Sequence, residues 1–330
     1  MACGAMVSRG GAVLLGCTTS ADGYYRGRPV RVVTHAHRDH LLGIERSVRE
    51  SVIIVANPYT LEMMEVLGYR VPPEKAAPLP YRASLEYDGE RITLVEARHI
   101  AGSSQVLLET SQGSYGYTSD FKMPGTPPLK GLDVLVIDAT YGDPALQRRW
   151  GEWDAIAALI EIIERFIREG PVWVYGYHGK LQEVMAQLRV RGVGYHFLAD
   201  PITLRLAEIA SRFYNVPLDP VGMFQGEEVY DSIVIFLHST RFSSYRRRPG
   251  VHVRLTGWEM RAPAALAGNR VINVSFSDHA TLREIVEYLD DARPRLVLVD
   301  AYRGRSAMLT ARYLERTLGL KVLPSPPHGF

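Results

Sequence analysis

The chain has 330 residues, with 38 Lys and Arg against 36 Asp and Glu and a formal net charge of +2, a length that suits about two domains. An apolar fraction of 46% with 22% charged residues excludes a polycation or a disordered chain, and no run reaches the ~18 apolar residues of a membrane span. The apolar stretch Gly10 to Leu15 lacks the flanks of a signal peptide, and Cys3 and Cys17 are too few for a disulfide framework or a four-thiolate zinc site, so a cytoplasmic, disulfide-free enzyme is expected.

Residues 28–33 are β-branched, bounded by Gly and Pro, and predict a strand that gives way to a helix from Leu41. A short strand over 52–55 leads through Asn57-Pro58 into a helix ending at Leu67. The alternation over 85–95 contains the hairpin signal Asp88-Gly89. Strands over 106–109 and 115–118 flank a turn at Ser111-Gln112-Gly113. The apolar run 132–137 predicts a strand buried on both faces. An amphipathic helix from Trp153 to Arg168 is stopped by Gly170-Pro171. A strand over 172–175 and helices over 180–189 and 202–214 follow in α/β alternation. After a strand at 251–255, strand–loop–helix units resume at 271–274 and 296–299. There is no repeat, low-complexity run or long linker. The expected organisation is a core begun over 1–145, a subdomain inserted over 146–252, and the core completed over 253–330.

The chemistry concentrates in Thr34-His35-Ala36-His37-Arg38-Asp39-His40, directly after an apolar strand. Imidazole nitrogens and carboxylate oxygens are ligands that Zn²⁺ accepts. His35 and His37, two apart on extended backbone, project to one side and suit one ion; Asp39 and His40, where the loop turns into a helix, suit another. Further candidates stand at other strand ends: His99 after 92–96, Asp120 after 115–118, Asp138 after 132–137, His279 after 271–274 and Asp300 after 296–299. A lone Asp there is more often a helix cap or turn residue. Five such residues at five strand ends form a pattern that caps do not explain.

These motifs resemble those of the metallo-β-lactamase-fold hydrolases, and within them the β-CASP nucleases. The His-x-His-x-Asp-His motif stands at His35 to His40, the next ligand motif at His99-Ile100-Ala101-Gly102-Ser103, and the bridging aspartate at Asp120. The motif that opens the β-CASP insertion resembles Asp138-Ala139-Thr140-Tyr141-Gly142, and the one that closes it resembles Phe276 to Ala280. The match runs over nearly the whole chain and is most like the compact archaeal RNA-processing and ligase-associated exonuclease-like members. Two departures stand out. Val299-Asp300-Ala301 replaces a His-Gly pair after the last core strand, and Gly16-Cys17 replaces an Asp-containing turn before the first motif, leaving Asp22 as the residue that orients the site.

The resemblance implies an αββα sandwich with an inserted α/β subdomain, and two zinc ions, with Mn²⁺ as an alternative. His35, His37 and His99 would hold one ion; Asp39, His40 and Asp300 the other; Asp120 would bridge them. It implies hydrolysis of RNA or DNA phosphodiesters by two-metal water activation, with His279, Asp138 and Asp39 as the catalytic set: His279 protonating the leaving oxygen or binding phosphate oxygens, and Asp138 holding its imidazole. The expected partner is single-stranded nucleic acid, with no membrane, and a homodimer is left open.

Only five of the 38 basic residues are Lys (75, 122, 130, 180 and 321), leaving 33 Arg, which suits a polyanion. Arg241 to Arg248 interleaves guanidinium groups with aromatics, and Gly179-Lys180-Leu181-Gln182-Glu183 puts a lysine at a helix start. Candidate substrate contacts are therefore Ser103, Lys180, Arg246 and Arg247. Two alternatives use the same residues: a small-molecule metallo-hydrolase such as a thioesterase or lactonase, which leaves the insertion unexplained, and a catalytically silent β-CASP scaffold protein, which leaves the intact metal motif unexplained.

Overall fold

Gly4–Val7 (β1) and Val13–Gly16 (β2) form an antiparallel ladder that opposes Gly4 to Gly16; the computed structural model describes residues 3–219, 221–229 and 232–327. One position beyond that pair, Cys3 and Cys17 form a disulfide with a Cα separation of 4.6 Å, close to the ~4.5 Å of a directly opposed strand pair. The disulfide-free expectation is therefore corrected: pairing across the hairpin brings together two cysteines that a count alone leaves separate.

Thr19–Ala21 (β3), Val30–Val33 (β4), Ile53–Ala56 (β5) and Ala76–Pro78 (β6) extend the sheet, with parallel pairing from β3 onward. Ile44–Glu50 (α1) and Pro58–Val66 (α2) make the crossovers. Asn57 caps α2 by accepting the Tyr59 N–H at 3.1 Å, and proline fills the first helical position. A second sheet begins with Ser84–Tyr87 (β7) and Glu90–Glu96 (β8), joined through Asp88 and Gly89, whose φ values of 48° and 77° are those the tight turn requires. Ser104–Thr110 (β9), Gly113–Tyr117 (β10) and Val134–Ile137 (β11) follow.

The middle of the chain supplies Glu152–Phe166 (α3), Val172–Gly176 (β12), Lys180–Val190 (α4), His196–Ala199 (β13), Pro201–Tyr214 (α5), Val221–Met223 (β14), Ile233–His238 (β15), Phe242–Tyr245 (α6), Val251–Leu255 (β16), Ala264–Gly268 (β17) and Val271–Val274 (β18). Leu282–Ala292 (α7), Leu296–Asp300 (β19), Ala307–Leu318 (α8) and Val322–Ser325 (β20) close it.

Two compact units result: residues 1–147 with 279–330, and residues 148–278. In the first, the β1-to-β6 sheet faces a seven-stranded sheet of order β20-β19-β11-β10-β9-β8-β7. Val13, Leu15, Val32 and Val55 pack against Ile92, Leu94, Val106 and Val136 between them. The opposite face of the second sheet buries Ile137 and Val299 under Ile285, Leu289 and Leu314 of α7 and α8. With its inner face filled, the first sheet carries its crossover helices outside, completing the αββα sandwich. In the second unit, strands of order β14-β13-β15-β12-β16-β18-β17 are parallel except for β17. Helices α3 and α4 cover that sheet through Ile156, Leu159, Ile163, Val184 and Met185.

Residues 253–278, expected in the returning core, instead complete the inserted unit's sheet, because β16 pairs in parallel with β12 and β18 with β16. Local apolarity predicts the strands but does not encode which sheet they join.

The returning segment is pinned to the first part of the core by Tyr288, fully buried, whose hydroxyl donates to Gln105 Oε1 at 2.6 Å and accepts the Leu129 N–H at 3.0 Å. Replacing Tyr288 by Phe strands both partners and is expected to lower stability by about 1–3 kcal/mol. Equilibrium denaturation checks this, and an unchanged midpoint would contradict it.

Candidate metal centre

Strands β4, β8, β10, β11 and β19 carry the predicted residues at or just past their C-terminal ends, and β10, β11 and β19 run parallel in register, Tyr117 beside Val136 and Val136 beside Leu298. That register delivers Asp120, Asp138 and Asp300 to one edge of the sheet. His279 arrives at the start of α7, where Ala280 N–H donates to Phe121 O and Thr281 caps the helix, with Glu284 reciprocating.

His35, His40, His99, Asp120 and Asp138 are buried, whereas the side chains of Asp39 and His279 are 62% and 20% exposed. Donor atoms of His35, His37, His99 and Asp120 all lie within 4.8 Å of one another. His37 Nδ1 is 3.1 Å from His35 Nε2 and 3.0 Å from His99 Nε2. Asp120 Oδ2 is 3.5 Å from His35 Nε2 and 3.6 Å from His99 Nε2. Ligands 2.0–2.1 Å from a tetrahedral zinc stand about 3.3 Å apart, so the donor set fits that ion in both chemistry and spacing.

The buried His40 Nε2 has no hydrogen-bond partner and points between Asp120 Oδ2 at 3.3 Å and Asp39 Oδ2 at 3.5 Å. An orphaned buried nitrogen facing two carboxylates is what a second cation position needs. On the far side, Asp120, Asp138 and His279 form another cluster, with His279 Nδ1 3.1 Å from Asp138 Oδ2 and 3.7 Å from Asp120 Oδ2. Thr140 fixes the other Asp138 oxygen through its N–H at 3.0 Å and its hydroxyl at 2.7 Å.

Charge states follow from this packing. Burial, reinforced by His40 and His99, pushes His35 well below the ordinary imidazole range, which keeps it in the neutral form that ligates. Burial works against the Asp120 carboxylate, yet His40, His279 and His35 hold it well below its usual range and therefore ionised. Burial also opposes charge on His40, but Asp120 and Asp22 outweigh it, so the surroundings of this ring favour a positive charge.

Asp22 orients the ligand loop. It is fully buried after β3, accepts the Thr34 N–H at 2.9 Å and the Thr34 hydroxyl at 2.6 Å, and holds His40 Nδ1 at 2.7 Å. That contact turns Nε2 of His40 toward the cluster. Thr34 and Ser119 hydroxyls stand 3.1 and 3.3 Å from His35 Nδ1 and do the same for that ring.

Three predicted residues are placed otherwise. Asp300 joins neither cluster: one carboxylate oxygen accepts the N–H groups of Tyr302 and Arg303, and the other pairs with the Arg303 guanidinium at 2.8 Å. Its residue type suits a ligand, but its side chain is committed to its own turn. Ser103 is fully buried and its hydroxyl accepts the Ile100 N–H at 3.1 Å, so it shapes the His99 turn rather than facing a substrate. Lys180 is buried against Asp278 at 2.9 Å, and Gly179 N–H is taken by Gln182, so the Gly-Lys segment is an internal tie of the inserted unit.

In the arginine-rich segment, Tyr245 stacks on Trp173 with ring centroids 5.7 Å apart, and Arg248 holds the carbonyls of Gly226 and Glu227. Arg246 and Arg247 remain exposed. Sequence reasoning missed Arg303 and Arg31, both buried: Arg303 donates to the carbonyls of Asp22 and Asp39, and Arg31 to that of His40. The only signal for Arg303 was its place three residues after a buried aspartate.

No family model matches the chain. It is 37% identical over 138 residues to an uncharacterized protein in the lig 3′ region of Acidianus ambivalens, 41% of this chain and 97% of that one. It is 22% identical over 315 residues to the DNA cross-link repair protein SNM1 of Arabidopsis thaliana, 88% of this chain and 63% of that one. It is 25% identical over 211 residues to RNase aCSPSF2 of Saccharolobus solfataricus, 55% of this chain and 42% of that one. The chain thus spans less than two thirds of these two named relatives. A crystal structure of a protein of unknown function from Enterococcus faecalis V583 superposes with a TM-score of 0.61 at 12% identity, over 91% of this chain and 80% of that one; it shares the fold.

Replacing Asp22 by Ala is expected to weaken divalent-metal binding about 10- to 100-fold, the usual effect of losing a group that orients a ligand. Competition with a chromogenic chelator measures this, and wild-type affinity in the variant would contradict the orienting role.

Proposed function

Because the chain belongs to the β-CASP subgroup of the metallo-β-lactamase-fold nucleases, we propose that it is a zinc-dependent hydrolase of RNA or DNA phosphodiester bonds. One observation carries the reading: a tetrad of His35, His37, His99 and Asp120 at tetrahedral spacing, with the His279–Asp138 pair against the same Asp120 oxygen. One named relative is an RNase and another a DNA repair protein, which supports a nucleic acid and leaves its sugar open.

His35, His37, His99 and Asp120 would hold the first ion. Asp39 and His40, sharing Asp120, would hold the second, with only three protein donors and hence a weaker grip. Bound zinc supplies a water acidified to a pKa near 7 and polarises the phosphoryl oxygens. The remaining work falls to the chain. Asp138 accepts from His279 Nδ1, fixing the tautomer and directing Nε2 outward, where it hands a proton to the leaving oxygen or donates to a phosphate oxygen. Thr140 keeps Asp138 from turning away. Asp39, the most exposed of the acidic donors, is held well below the usual carboxylate range by the neighbouring His40 and would serve the reaction as an ionised donor to the second ion.

Arg246 and Arg247 would neutralise phosphates along a single strand. No helix is long and apolar enough to cross a membrane among the described residues. The reading places the enzyme in the cytoplasm, a compartment where a disulfide such as Cys3–Cys17 is frequent in proteins of hyperthermophiles and rare in those of other organisms.

Purified protein incubated with end-labelled single-stranded RNA and DNA is expected to cleave at least one of them, and a chelator to stop it. Intact substrate in every lane would refute the nuclease reading. His279→Ala is expected to cut turnover at least about 100-fold, the lower range for a general acid, while zinc content stays at the wild-type value. Loss of zinc together with turnover would make His279 a ligand instead.

A further inference from the structure

Two buried guanidinium groups grip successive carbonyls of the ligand loop. Arg303 Nη2 donates to Asp39 O at 3.1 Å and to Asp22 O at 3.0 Å, and Arg31 Nη2 donates to His40 O at 2.9 Å. Arg303 thus spans three segments, because its Nη1 also pairs with Asp300 Oδ2 at 2.8 Å, with the side chains 6% and 2% exposed. Asp300 is itself immobilised by the N–H groups of Tyr302 and Arg303 at 2.9 and 3.2 Å.

A buried ion pair contributes little net stability, since desolvation consumes most of its attraction. Its value here lies in what the second arm of the fork reaches. Asp39 and His40 are the two donors that the less saturated cation position does not share with the other, and they lie on a turn whose helix, α1, begins only at Ile44. Backbone hydrogen bonds hold His40 N to His37 O and Leu41 N to Arg38 O. The Asp39 carbonyl is fixed by Arg303.

We propose that Arg303 is a positioning residue for the metal centre: anchored by Asp300, it clamps the Asp22 and Asp39 carbonyls and fixes the turn that presents Asp39 and His40. Asp300 serves the centre through Arg303 and not as a ligand. The inference rests on the reading of this cluster as a metal centre.

Arg303→Lys keeps a cation against Asp300 but cannot span three acceptors. It is expected to fold, to bind zinc about 10-fold more weakly, and to show faster amide hydrogen exchange over residues 34–42 in metal-stripped protein. Asp300→Asn is expected to weaken zinc binding in the native background and to cost nothing further in Arg303→Met, because the anchor matters only while the clamp exists. Wild-type zinc affinity and exchange in Arg303→Lys would overturn the proposal. So would an Asp300→Asn loss of equal size in both backgrounds, which is the behaviour of a direct ligand. If the methionine variants fail to fold, Arg303→Lys and its exchange rates carry the test. Cleavage enters none of these readouts: wild-type protein that binds zinc yet leaves RNA and DNA intact fails the functional reading and leaves the clamp standing.

Discussion

The Oδ2 atom of Asp120 lies within 3.7 Å of ring nitrogens from four histidines, His35, His40, His99 and His279, and the rest of the centre is arranged around it. Moving one carboxylate into a medium of low dielectric costs on the order of tens of kcal/mol in simple solvation models. Asp120 is buried and stays ionised because the imidazoles converge on it. His37 Nδ1, in turn, faces two ring nitrogens at once, His99 Nε2 at 3.0 Å and His35 Nε2 at 3.1 Å, more than the single N–H···N bond that one lone pair or one proton on that atom makes. A cation answers both demands, which is why this cluster reads as a centre for metal and not as a packed polar core.

The scaffold meets that demand with topology. Parallel strands β10, β11 and β19 end together, so side chains far apart in sequence emerge along one edge, the usual place for chemistry in α/β layers. Supporting groups remove the remaining freedom: Asp22 and Thr34 on the first loop, Ser119 beside His35, Thr140 behind Asp138. The inserted unit is spliced in between Asp138 and His279, yet both belong to the same unit and touch at 3.1 Å. Insertion at that point keeps the His279–Asp138 pair intact while adding more than a hundred residues of sheet and helix.

Much of this was legible in the sequence. His35 to His40 carries its meaning in spacing alone, because a strand followed by a turn projects its side chains predictably. Asp88-Gly89 and Asn57-Pro58 marked their turn and helix start through local backbone chemistry. What escaped depends on pairing across distance. Cys3 and Cys17 meet only once β1 and β2 are in register. Residues 253–278 join the inserted sheet through β12, a partner about eighty positions earlier. Lys180 and Ser103 look available in a string of letters and prove buried against partners that the string does not reveal. Asp300 shows the same limit: its residue type suits a ligand, while its geometry ties it to Arg303.

The central claim is that His35, His37, His99 and Asp120 close around one divalent ion. Zinc-edge X-ray absorption on protein loaded with a single equivalent tests it directly. The account predicts three imidazole nitrogens at about 2.0–2.1 Å and one carboxylate oxygen at about 2.0–2.2 Å. A first sphere of water oxygens, or one with fewer than three imidazoles, would contradict it.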